Sequence, residues 1–494
     1  MAGLFISATR KSSGKTTISV GLAAALARRG IVVQSFKKGP DYIDPMWLAL
    51  ASGRSCYNLD FNTQTANEIG TTYTRHAPVD GLALVEGNKG LHDGVDELGA
   101  DSSAALARLL DLPVVLVVDG EGMGRGIAAL VQGYSGFDRS LTIAGVILNK
   151  VGNPRHEGKL RRALEHYTDI PVLGAIGRDL SLVVLERHLG LTPPAEATER
   201  DDRLSRMAAI VARDIDLDRL RAIAASAPLS DAASGSVPVS GSVPVSGSPP
   251  ASGLLAASGP LPAGGVRGAG TIRVGVARDA AFGFYYADDL DALEQAGAEL
   301  VFIDLLHDDS LPEIDALFIG GGFPETQAAA LAANTSMRRA VRSAIIGGLP
   351  SYAECGGLMY LTRSITYKGG RHEMAGVIQA DSTVGDYAHG RGLVVLEETD
   401  CMPWGGWSGA RSGQAIPAHE FHYGALHNID PGCRFAYKVR RGYGIDGRRD
   451  GIVVHNLLAG FAHLRDSSRH HWAQRFIAFA RAVRDDGGAR AACS

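Results

Sequence analysis

Two stretches of the sequence place reactive side chains at a spacing that known chemistry requires. In the first, TRKSSGKTT separates an apolar run from a helical pattern. A strand, a loop of small residues and a helix that opens with Gly-Lys-Thr are typical of a phosphate loop, whose backbone N–H groups hold phosphate oxygens. Lys15 would add a point charge and Thr16 a hydroxyl for Mg²⁺. Because Thr9 replaces the usual first glycine, a chance turn is the alternative. The loop residues predicted to bind the nucleotide are Ser12, Ser13, Gly14, Lys15, Thr16 and Thr17.

Further polar segments, FKKGPDYIDP and EGNKGLHDG, follow later strands, where ligands bind in open α/β sheets. Asp41 and Glu86 are candidates to complete Mg²⁺ coordination with Thr16. Lys37 is predicted to neutralise charge on a transferring phosphoryl group. The alternative is ordinary Gly, Pro and Asp turns with solvated charges. Asn149, at the end of another strand, is predicted to contact the adenine base or, alternatively, to cap the strand.

The second stretch is SYAECGGLMY, preceded by the triple glycine of LFIGGGFPE. A cysteine at a sharp strand-to-helix turn exposes its sulfur, and the helix N-terminus favours the thiolate. We predict Cys355 as a nucleophile, with an oxyanion hole formed by Gly321, Gly322 and Gly356. The alternative is a buried structural cysteine. A thiolate needs a base, and the candidates are His419, His422, His455 and His463.

Short apolar runs and helical patterns alternate in the first part of the chain. The predicted strands are Leu4–Ala8, Val32–Phe36, Leu82–Glu86, Val114–Asp119 and Ile143–Leu148, and helices are predicted at Thr17–Arg29 and Ser102–Leu110. Near-continuous apolar strands separated by helices indicate a parallel sheet covered on both faces. We therefore predict an α/β domain over residues 1–225.

The segment 226–270 differs in composition, because it is rich in Ser, Gly, Pro and Ala and repeats SGSVPV. Such a segment cannot bury enough surface to fold, so it is predicted to be a flexible linker, with an interaction motif as the alternative. Alternation then resumes and predicts a second α/β domain over 271–494. Its predicted strands are Ile272–Ala277, Leu300–Ile303, Ala316–Ile319 and Pro350–Ala353, with helices at Ala287–Ala296 and Glu325–Ala333.

Composition narrows the function classes. The net charge of −4 gives no basic surface for nucleic acid. The five cysteines form no CxxC pair, which disfavours a disulfide framework or a zinc cage and favours a reducing cytoplasm. The N-terminus does not resemble a signal peptide, and no apolar run is long enough to predict a membrane span.

Taken together, the motifs resemble one family. Cys355 in AECGGLMYL, with GGGFPE before it and AHEFHYG after it, resembles the class I glutamine amidotransferase domain of the cobyrinate a,c-diamide synthase family. FKKGPDYIDP, EGNKGLHDG and GVILNKVG are similar to the same family's ATP domain, which is related to dethiobiotin synthetase. The resemblance covers nearly all of the chain except the linker. It implies a P-loop parallel-sheet domain followed by a flavodoxin-like amidotransferase domain.

The resemblance also implies residue roles. Cys355 would be the glutaminase nucleophile and His463 its base. The residues around MgATP would be Lys15, Thr16, Asp41 and Glu86, and those near the substrate carboxylate would be Tyr42, Asp44 and Asp93. The family's last histidine segment usually reads SYLHLHF, whereas this chain has GFAHLRD, so Arg465 replaces the second histidine. The third member of the cysteine site is therefore not identified.

Members of this family amidate carboxylates of modified tetrapyrroles, including cobyrinic or hydrogenobyrinic acid, nickel-sirohydrochlorin and sirohaem. The segment Cys56–Gln64 and the pair Asn88-Lys89 look more like the sirohaem amidase of sulfur-oxidising bacteria. We therefore favour conversion of sirohaem to sirohaem amide, with a cobyrinic or hydrogenobyrinic acid a,c-diamide synthase as the alternative.

The chemistry requires ATP, because a carboxylate is a poor electrophile until it becomes an acyl phosphate. Ammonia would come from glutamine through a Cys355 thioester and be delivered internally. The predicted partners are glutamine and a tetrapyrrole carboxylate, with no nucleic acid and no membrane, and a homodimer is left open. The rivals are a P-loop regulatory ATPase with a degenerate amidotransferase domain, and a cobyric acid or peptidoglycan-type amidotransferase.

Overall fold

The structure is a computed structural model that describes residues 2–178, 186–187, 190–191, 193–194, 200–227, 270–405 and 413–492. The chain divides into two compact units, Met1–Leu261 and Pro262–Ser494. The predicted linker, 226–270, lies outside the described residues except at its two ends.

A seven-stranded sheet forms the centre of the first unit, with the strand order β3-β2-β4-β1-β5-β6-β7. All of its neighbouring strands are parallel. Its strands are β1 (Ala2–Ala8), β2 (Val33–Lys38), β3 (Tyr57–Leu59), β4 (Leu82–Glu86), β5 (Val114–Asp119), β6 (Ile143–Val151) and β7 (Val172–Gly177). Both faces of the central strands are buried, which explains their continuous apolar composition.

Helices connect these strands, and several begin at a side-chain cap. Thr65 and Glu68 form a capping box, and Asn153 caps a helix that opens with Pro154. The helices are α1 (Lys15–Arg28), α2 (Ile43–Ser52), α3 (Ala66–His76), α4 (Ser103–Leu109), α5 (Gly126–Phe137), α6 (Pro154–Tyr167), α7 (Arg200–Asp214) and α8 (Leu217–Ala225). A short antiparallel pair, β8 (Glu186–Arg187) and β9 (Gly190–Leu191), also belongs to this unit.

The parallel sheet predicted for the first unit is confirmed. One strand and one helix at the sheet edge have bounds that differ from those predicted. The predicted strand Val32–Phe36 is β2, which extends to Lys38, so two lysines belong to the strand itself. The predicted helix Thr17–Arg29 begins at Lys15, which places the phosphate-loop lysine on its first turn. No strand was predicted at the positions of β3 and β7.

A nine-stranded sheet forms the centre of the second unit, with the order β11-β10-β12-β13-β22-β21-β20-β17-β18. The first half, from β11 to β22, is parallel, and the second half is antiparallel. Its strands are β10 (Ile272–Ala277), β11 (Ala298–Ile303), β12 (Ala316–Ile319), β13 (Ser351–Glu354), β17 (Gly390–Glu398), β18 (Ala415–His422), β20 (Arg434–Arg441), β21 (Arg449–Val454) and β22 (Leu457–Gly460).

Helices and a small second sheet complete this unit. The α-helices are α9 (Ala287–Gln295), α10 (Ala328–Ala333), α11 (Thr335–Ile346), α12 (Gly356–Leu361) and α13 (Trp472–Ala492). The predicted helix Glu325–Ala333 consists of a 3₁₀ turn, Pro324–Gln327, followed by α10. The four-stranded sheet, ordered β15-β14-β16-β19, contains β14 (Ser364–Tyr367), β15 (Gly370–Glu373), β16 (Asp381–Val384) and β19 (Gly424–His427).

The side chains of β12 alternate between two cores of the second unit. Leu317 and Ile319 pack into one core with Leu358, whereas Phe318 packs into the other with Trp472. This alternation follows from the two-residue period of a strand, so both faces of the sheet are covered. No helix among the described residues is long and apolar enough to cross a membrane.

Candidate active sites

The predicted phosphate loop connects β1 to α1 and is held in shape by the end of β6. Gly14 has φ 84° and precedes the helix without a side-chain cap, so the first N–H groups of α1 remain available to an anion. The Asn149 amide donates to the carbonyl of Ser13 at 2.8 Å, and the Lys150 ammonium donates to that of Ser12 at 2.8 Å. Asn149 therefore supports the loop, and its contact with adenine stays a prediction.

A cluster of charged side chains lies beside this loop. Glu86 Oε1 lies 2.5 Å from Lys15 Nζ and 3.0 Å from Lys37 Nζ, and it accepts from Thr16 Oγ1 at 2.7 Å. Asp44 Oδ2 lies 2.5 Å from Lys37 Nζ and accepts from Thr16 Oγ1 at 3.1 Å. Five predicted residues thus lie together, at the C-terminal ends of β2 and β4 and on the first turns of α1 and α2. They are Lys15, Thr16, Lys37, Asp44 and Glu86.

Burial and neighbouring charges shift the pKa values of the two aspartates of this cluster in opposite directions. Burial, assisted by the charge of Asp44, raises the pKa of Asp41 to about 7. Burial also opposes ionisation of Asp44, but Lys37 and Lys15 outweigh it and lower the pKa of Asp44. Asp44, rather than Asp41, therefore carries a stable negative charge beside the Thr16 hydroxyl. Asp41 was predicted at the metal and Asp44 near the substrate, and both roles stay predictions, although it is Asp44 that contacts Thr16.

The residues at this site fit a magnesium ion bound together with a nucleotide. Glu86 Oε2 is buried and has no hydrogen-bond partner among the described residues, so one carboxylate oxygen remains for a cation. The described residues contain no group of three or more His, Cys, Asp or Glu side chains arranged around a metal. Mg²⁺ is often held by one or two carboxylates together with substrate phosphates, and Glu86 and Asp44 would supply two carboxylates.

The remaining predicted residues of the first unit lie around this cluster. Tyr42 is buried immediately before α2, and Thr17 lies on the first turn of α1. Asp93 is exposed, and its carboxylate accepts from the amide of Gly90 at 3.1 Å. Asp93 forms no hydrogen bond or ion pair with the lysine–carboxylate cluster, so its substrate role stays a prediction.

In the second unit, Cys355 lies at the strand-to-helix turn between β13 and α12. Its φ of 48° is unusual for a residue with a side chain, and such strain at a nucleophile is maintained only where the surroundings fix it. The Cys355 amide donates to the carbonyl of Gly460 at 2.8 Å. The turn aims the side chain at His463, with which it forms a hydrogen bond.

His463 is held by a backbone hydrogen bond and a ring contact with His419. Its amide donates to the carbonyl of His419 at 2.8 Å, and the two imidazole rings stack with centroids 4.9 Å apart. Burial disfavours the imidazolium, but hydrogen bonds with Cys355 and Glu354 outweigh it and raise the pKa of His463 to about 10. His463 therefore lies within hydrogen-bonding reach of Cys355, as a base for this residue must, and its role as that base stays a prediction.

Glu354 is the residue that the sequence analysis missed. Its Oε2 lies 3.3 Å from His463 Nδ1, while its Oε1 accepts from the Leu464 amide at 2.9 Å and from the Tyr352 hydroxyl. The carboxylate is buried and occupies the place of the acid that orients a catalytic histidine. The only signal in the sequence is a glutamate directly before the cysteine at the end of an apolar strand.

The predicted oxyanion-hole glycines adjoin this pair. A Cβ on Gly356 would lie 3.0 Å from the amide nitrogen of Gly322, and one on Gly321 would lie 2.7 Å from the His463 ring. The amides of Gly322 and Gly356 have no hydrogen-bond partner in the described part of the chain. Both N–H groups are therefore available to an oxyanion, as predicted, although that role stays untested.

The other candidate histidines have different surroundings. His422 stacks on Phe461, with centroids 3.9 Å apart, and His455 lies on an exposed turn between β21 and β22. Arg465, which replaces a histidine of the family pattern, is buried, forms an ion pair with Asp288 and lies over the Tyr286 ring. Arg465 therefore anchors the histidine segment and is no base.

Comparison with known proteins now defines the class. Residues 4–189 match the CobQ/CobB/MinD/ParA nucleotide binding domain, and residues 273–470 match the CobB/CobQ-like glutamine amidotransferase domain. A nucleotide-binding domain joined to a glutamine amidotransferase domain defines a glutamine-dependent amide ligase.

Relatives that match almost end to end identify the family. The chain is 44% identical over 476 residues to a protein of Magnetococcus marinus named cobyrinate a,c-diamide synthase, covering 95% of both chains. It is 40% identical to a Methanosarcina acetivorans protein of the same name, covering 93% of this chain and 92% of the relative. A Methanosarcina barkeri protein of that name is 38% identical, with coverages of 98% and 96%. The chain belongs to the cobyrinate a,c-diamide synthase family.

Proposed function

We propose that this chain uses ATP and glutamine to convert peripheral carboxylates of a modified tetrapyrrole to amides. The observation that carries the proposal is the presence of two assembled sites on one chain. One gathers Lys15, Thr16 and Glu86 at a phosphate loop, and the other joins Cys355 to His463. The names of the relatives favour cobyrinic acid as the substrate.

The first unit activates the acid. A carboxylate oxygen of the substrate attacks the γ-phosphorus of ATP, the bond to the bridging oxygen breaks, and ADP leaves with the electron pair. The ammonium groups of Lys15 and Lys37 stabilise the charge that develops on the transferring group. Mg²⁺ held by Thr16, Glu86 and Asp44 would supply further charge neutralisation. The product is an acyl phosphate, whose phosphate is a good leaving group.

The second unit supplies nitrogen. The Cys355 thiolate attacks the side-chain carbonyl of glutamine, and the N–H groups of Gly322 and Gly356 would stabilise the oxyanion. His463 gives its proton to the departing nitrogen, which leaves as ammonia, and a thioester remains. Neutral His463 then takes a proton from water, which cleaves the thioester to glutamate and restores the pair. Ammonia attacks the acyl phosphate, and the amide forms as phosphate leaves.

Sirohaem is a second candidate substrate, favoured by the sequence of the segment Cys56–Gln64 and the pair Asn88-Lys89. These residues lie in the first unit, where β3 and the end of β4 border the charged cluster. The experiment is incubation of the chain with ATP, Mg²⁺ and glutamine against cobyrinic acid and, separately, sirohaem. Mass spectrometry scores each acid-to-amide conversion by its small mass loss. ATP hydrolysis without mass loss on either substrate would favour a regulatory ATPase instead.

A further inference from the structure

Lys38 is a buried cation that the reaction above does not use. The residue is 8% exposed, and its ammonium forms no hydrogen bond or ion pair with any described residue, although it keeps contact with solvent. Its neighbour Lys37 is paired with three carboxylates. Because successive side chains of a strand point to opposite faces, Lys38 leaves β2 away from the phosphate cluster.

The carboxylates near Lys38 are already engaged. Asp101 accepts from the amides of Val95 and Asp96 at 2.9 and 3.0 Å, and Asp60 accepts from the Thr63 hydroxyl at 2.9 Å. Both attract Lys38 electrostatically but neither forms an ion pair with it. Burial lowers the pKa of Lys38, and the charges of Lys37 and, more weakly, Lys89 act in the same direction. An anion placed between Lys38 and Lys89 would relieve both the desolvation of Lys38 and the repulsion between these two lysines.

The polypeptide around the two lysines is fixed. The Asn88 amide nitrogen donates to Ser103 Oγ at 3.1 Å, which in turn donates to the Asn88 carbonyl at 2.9 Å. The Asn88 side chain lies over the turn after Lys38, since a Cβ on Gly39 would lie 3.5 Å from its Nδ2. Its side-chain amide, like the Lys89 ammonium, forms no hydrogen bond or ion pair within the described ranges. The Asn88 amide thus lies beside the turn that follows Lys38, and Lys89 is close enough to act electrostatically on Lys38.

We propose that Lys38, Lys89 and Asn88 form a subsite for a carboxylate of the macrocycle other than the one being activated. The proposal rests on the proposed function and adds the group that orients the substrate. A macrocycle with several carboxylates reaches beyond the phosphate cluster, and a second charged contact determines which carboxylate lies at the γ-phosphate. A nucleotide phosphate offers the same anionic oxygens, so the test separates the two sources.

The test is equilibrium binding without glutamine, in which the absorbance of cobyrinic acid or sirohaem reports on the macrocycle. The variants are Lys38→Met and Lys89→Met, with Lys38→Arg as the charge-retaining variant and Lys159→Met, on α6, as the matched surface control. We expect each Met variant at positions 38 and 89 to raise the macrocycle Kd by roughly tenfold to a hundredfold, the effect of one lost hydrogen bond to a charged group. Lys38→Arg should recover most of the loss, and Lys159→Met should match the unaltered chain.

The methyl ester of the same macrocycle provides a second control, because it lacks the anion. Its Kd should be the same for the unaltered chain and for Lys89→Met. An unchanged macrocycle Kd in both Met variants, or a raised Kd for ATP instead, would overturn the subsite. A chain that binds the macrocycle but forms no amide would refute the proposed function while the comparison of Kd values still decides the subsite. A chain that binds neither macrocycle would overturn both.

Discussion

Replacing Glu354 by glutamine should disable the glutaminase while leaving its geometry intact. The Leu464 amide donates to Oε1, and a backbone N–H can only donate, so the carboxamide oxygen must take that position. The carboxamide NH₂ then occupies the place of Oε2, which lies 3.3 Å from His463 Nδ1. Because this group donates, Nδ1 must accept, and the ring carries its proton on Nε2. Because Nε2 already carries a proton in that tautomer, neutral His463 cannot accept a proton there from the Cys355 thiol or from the attacking water.

The magnitude follows from the analogous acid-to-amide change in a Ser-His-Asp triad, which costs roughly 10⁴ in kcat. The contact of 3.3 Å is longer than an ideal charge-assisted hydrogen bond, so Glu354 contributes less than that limit. We expect glutamine hydrolysis to fall by roughly 10² to 10³, equivalent to about 3–4 kcal/mol of barrier. The carboxylate also helps to raise the pKa of His463 to about 10. Its loss lowers that pKa, so the alkaline limb of the rate profile moves to lower pH.

The assay is glutamate release at saturating glutamine across a pH series, with ammonium-driven amidation as the internal control. Ammonium-driven amidation should be unchanged, because the first unit is not altered. Glu420→Gln is a matched variant, since Glu420 is a buried carboxylate of the same unit that accepts from the amides of Tyr443 and Gly444. The role of Glu354 as the acid that orients His463 would be refuted by two results together. Glu354→Gln would release glutamate at a rate within about threefold of the unaltered chain, and the alkaline limb of its rate profile would not shift.

Further predictions concern both units and the stability of the fold. Cys355→Ala should abolish amide formation with glutamine but retain amide formation with high ammonium. Lys15→Ala should abolish amide formation with either nitrogen source. Equal loss of the two activities in Cys355→Ala would contradict the division of labour between the units. Gly14→Ala should remove nucleotide binding in an equilibrium titration and cost about 1–2 kcal/mol of stability, because φ is 84° there. Glu398→Gln should lower the free energy of unfolding in urea by about 3–5 kcal/mol, because it leaves the buried Arg475 unpaired. Burial opposes ionisation of Glu398, but its partners lower its pKa to about 2, so this stability is present above the ordinary glutamate pKa and is lost as the pH falls towards 2.

The sequence predicts best where local pattern and chemistry coincide. Gly14 and Lys15 were predicted where a loop leads from a strand into a helix, and in the structure Gly14 precedes α1 and Lys15 begins it, because the phosphate loop is a local motif. Cys355 is found for the same reason, as its turn joins β13 to α12 within a few residues. The parallel strands are predictable because burial on both faces leaves continuous apolar runs.

Residues that meet only in three dimensions were harder to assign. Glu354 contacts His463 across 109 positions of the chain, and nothing in the spacing of the two residues connects them. The roles of Asp41 and Asp44 depend on which carboxylate reaches Thr16, a matter of helix direction rather than of sequence order. The antiparallel half of the second sheet was not predicted, because strands such as β20 mix charged and apolar residues without a regular alternation.

The shared partners of Glu86 suggest how nucleotide binding organises the first unit. Lys15 and Lys37 both contact Glu86 Oε1, and Lys37 also pairs with Asp44. A γ-phosphate would compete with Glu86 for Lys15, because burial disfavours the charge of Lys15 and lowers its pKa, and a stronger anion would offset that effect. Once Lys15 turned to the phosphate, Glu86 would keep Lys37 as its one lysine partner and would have charge to give to a cation beside Thr16. Nucleotide and metal would then bind cooperatively. The phosphate would draw Lys15 away from Glu86, and the metal would neutralise the charge of Glu86 that Lys15 no longer offsets.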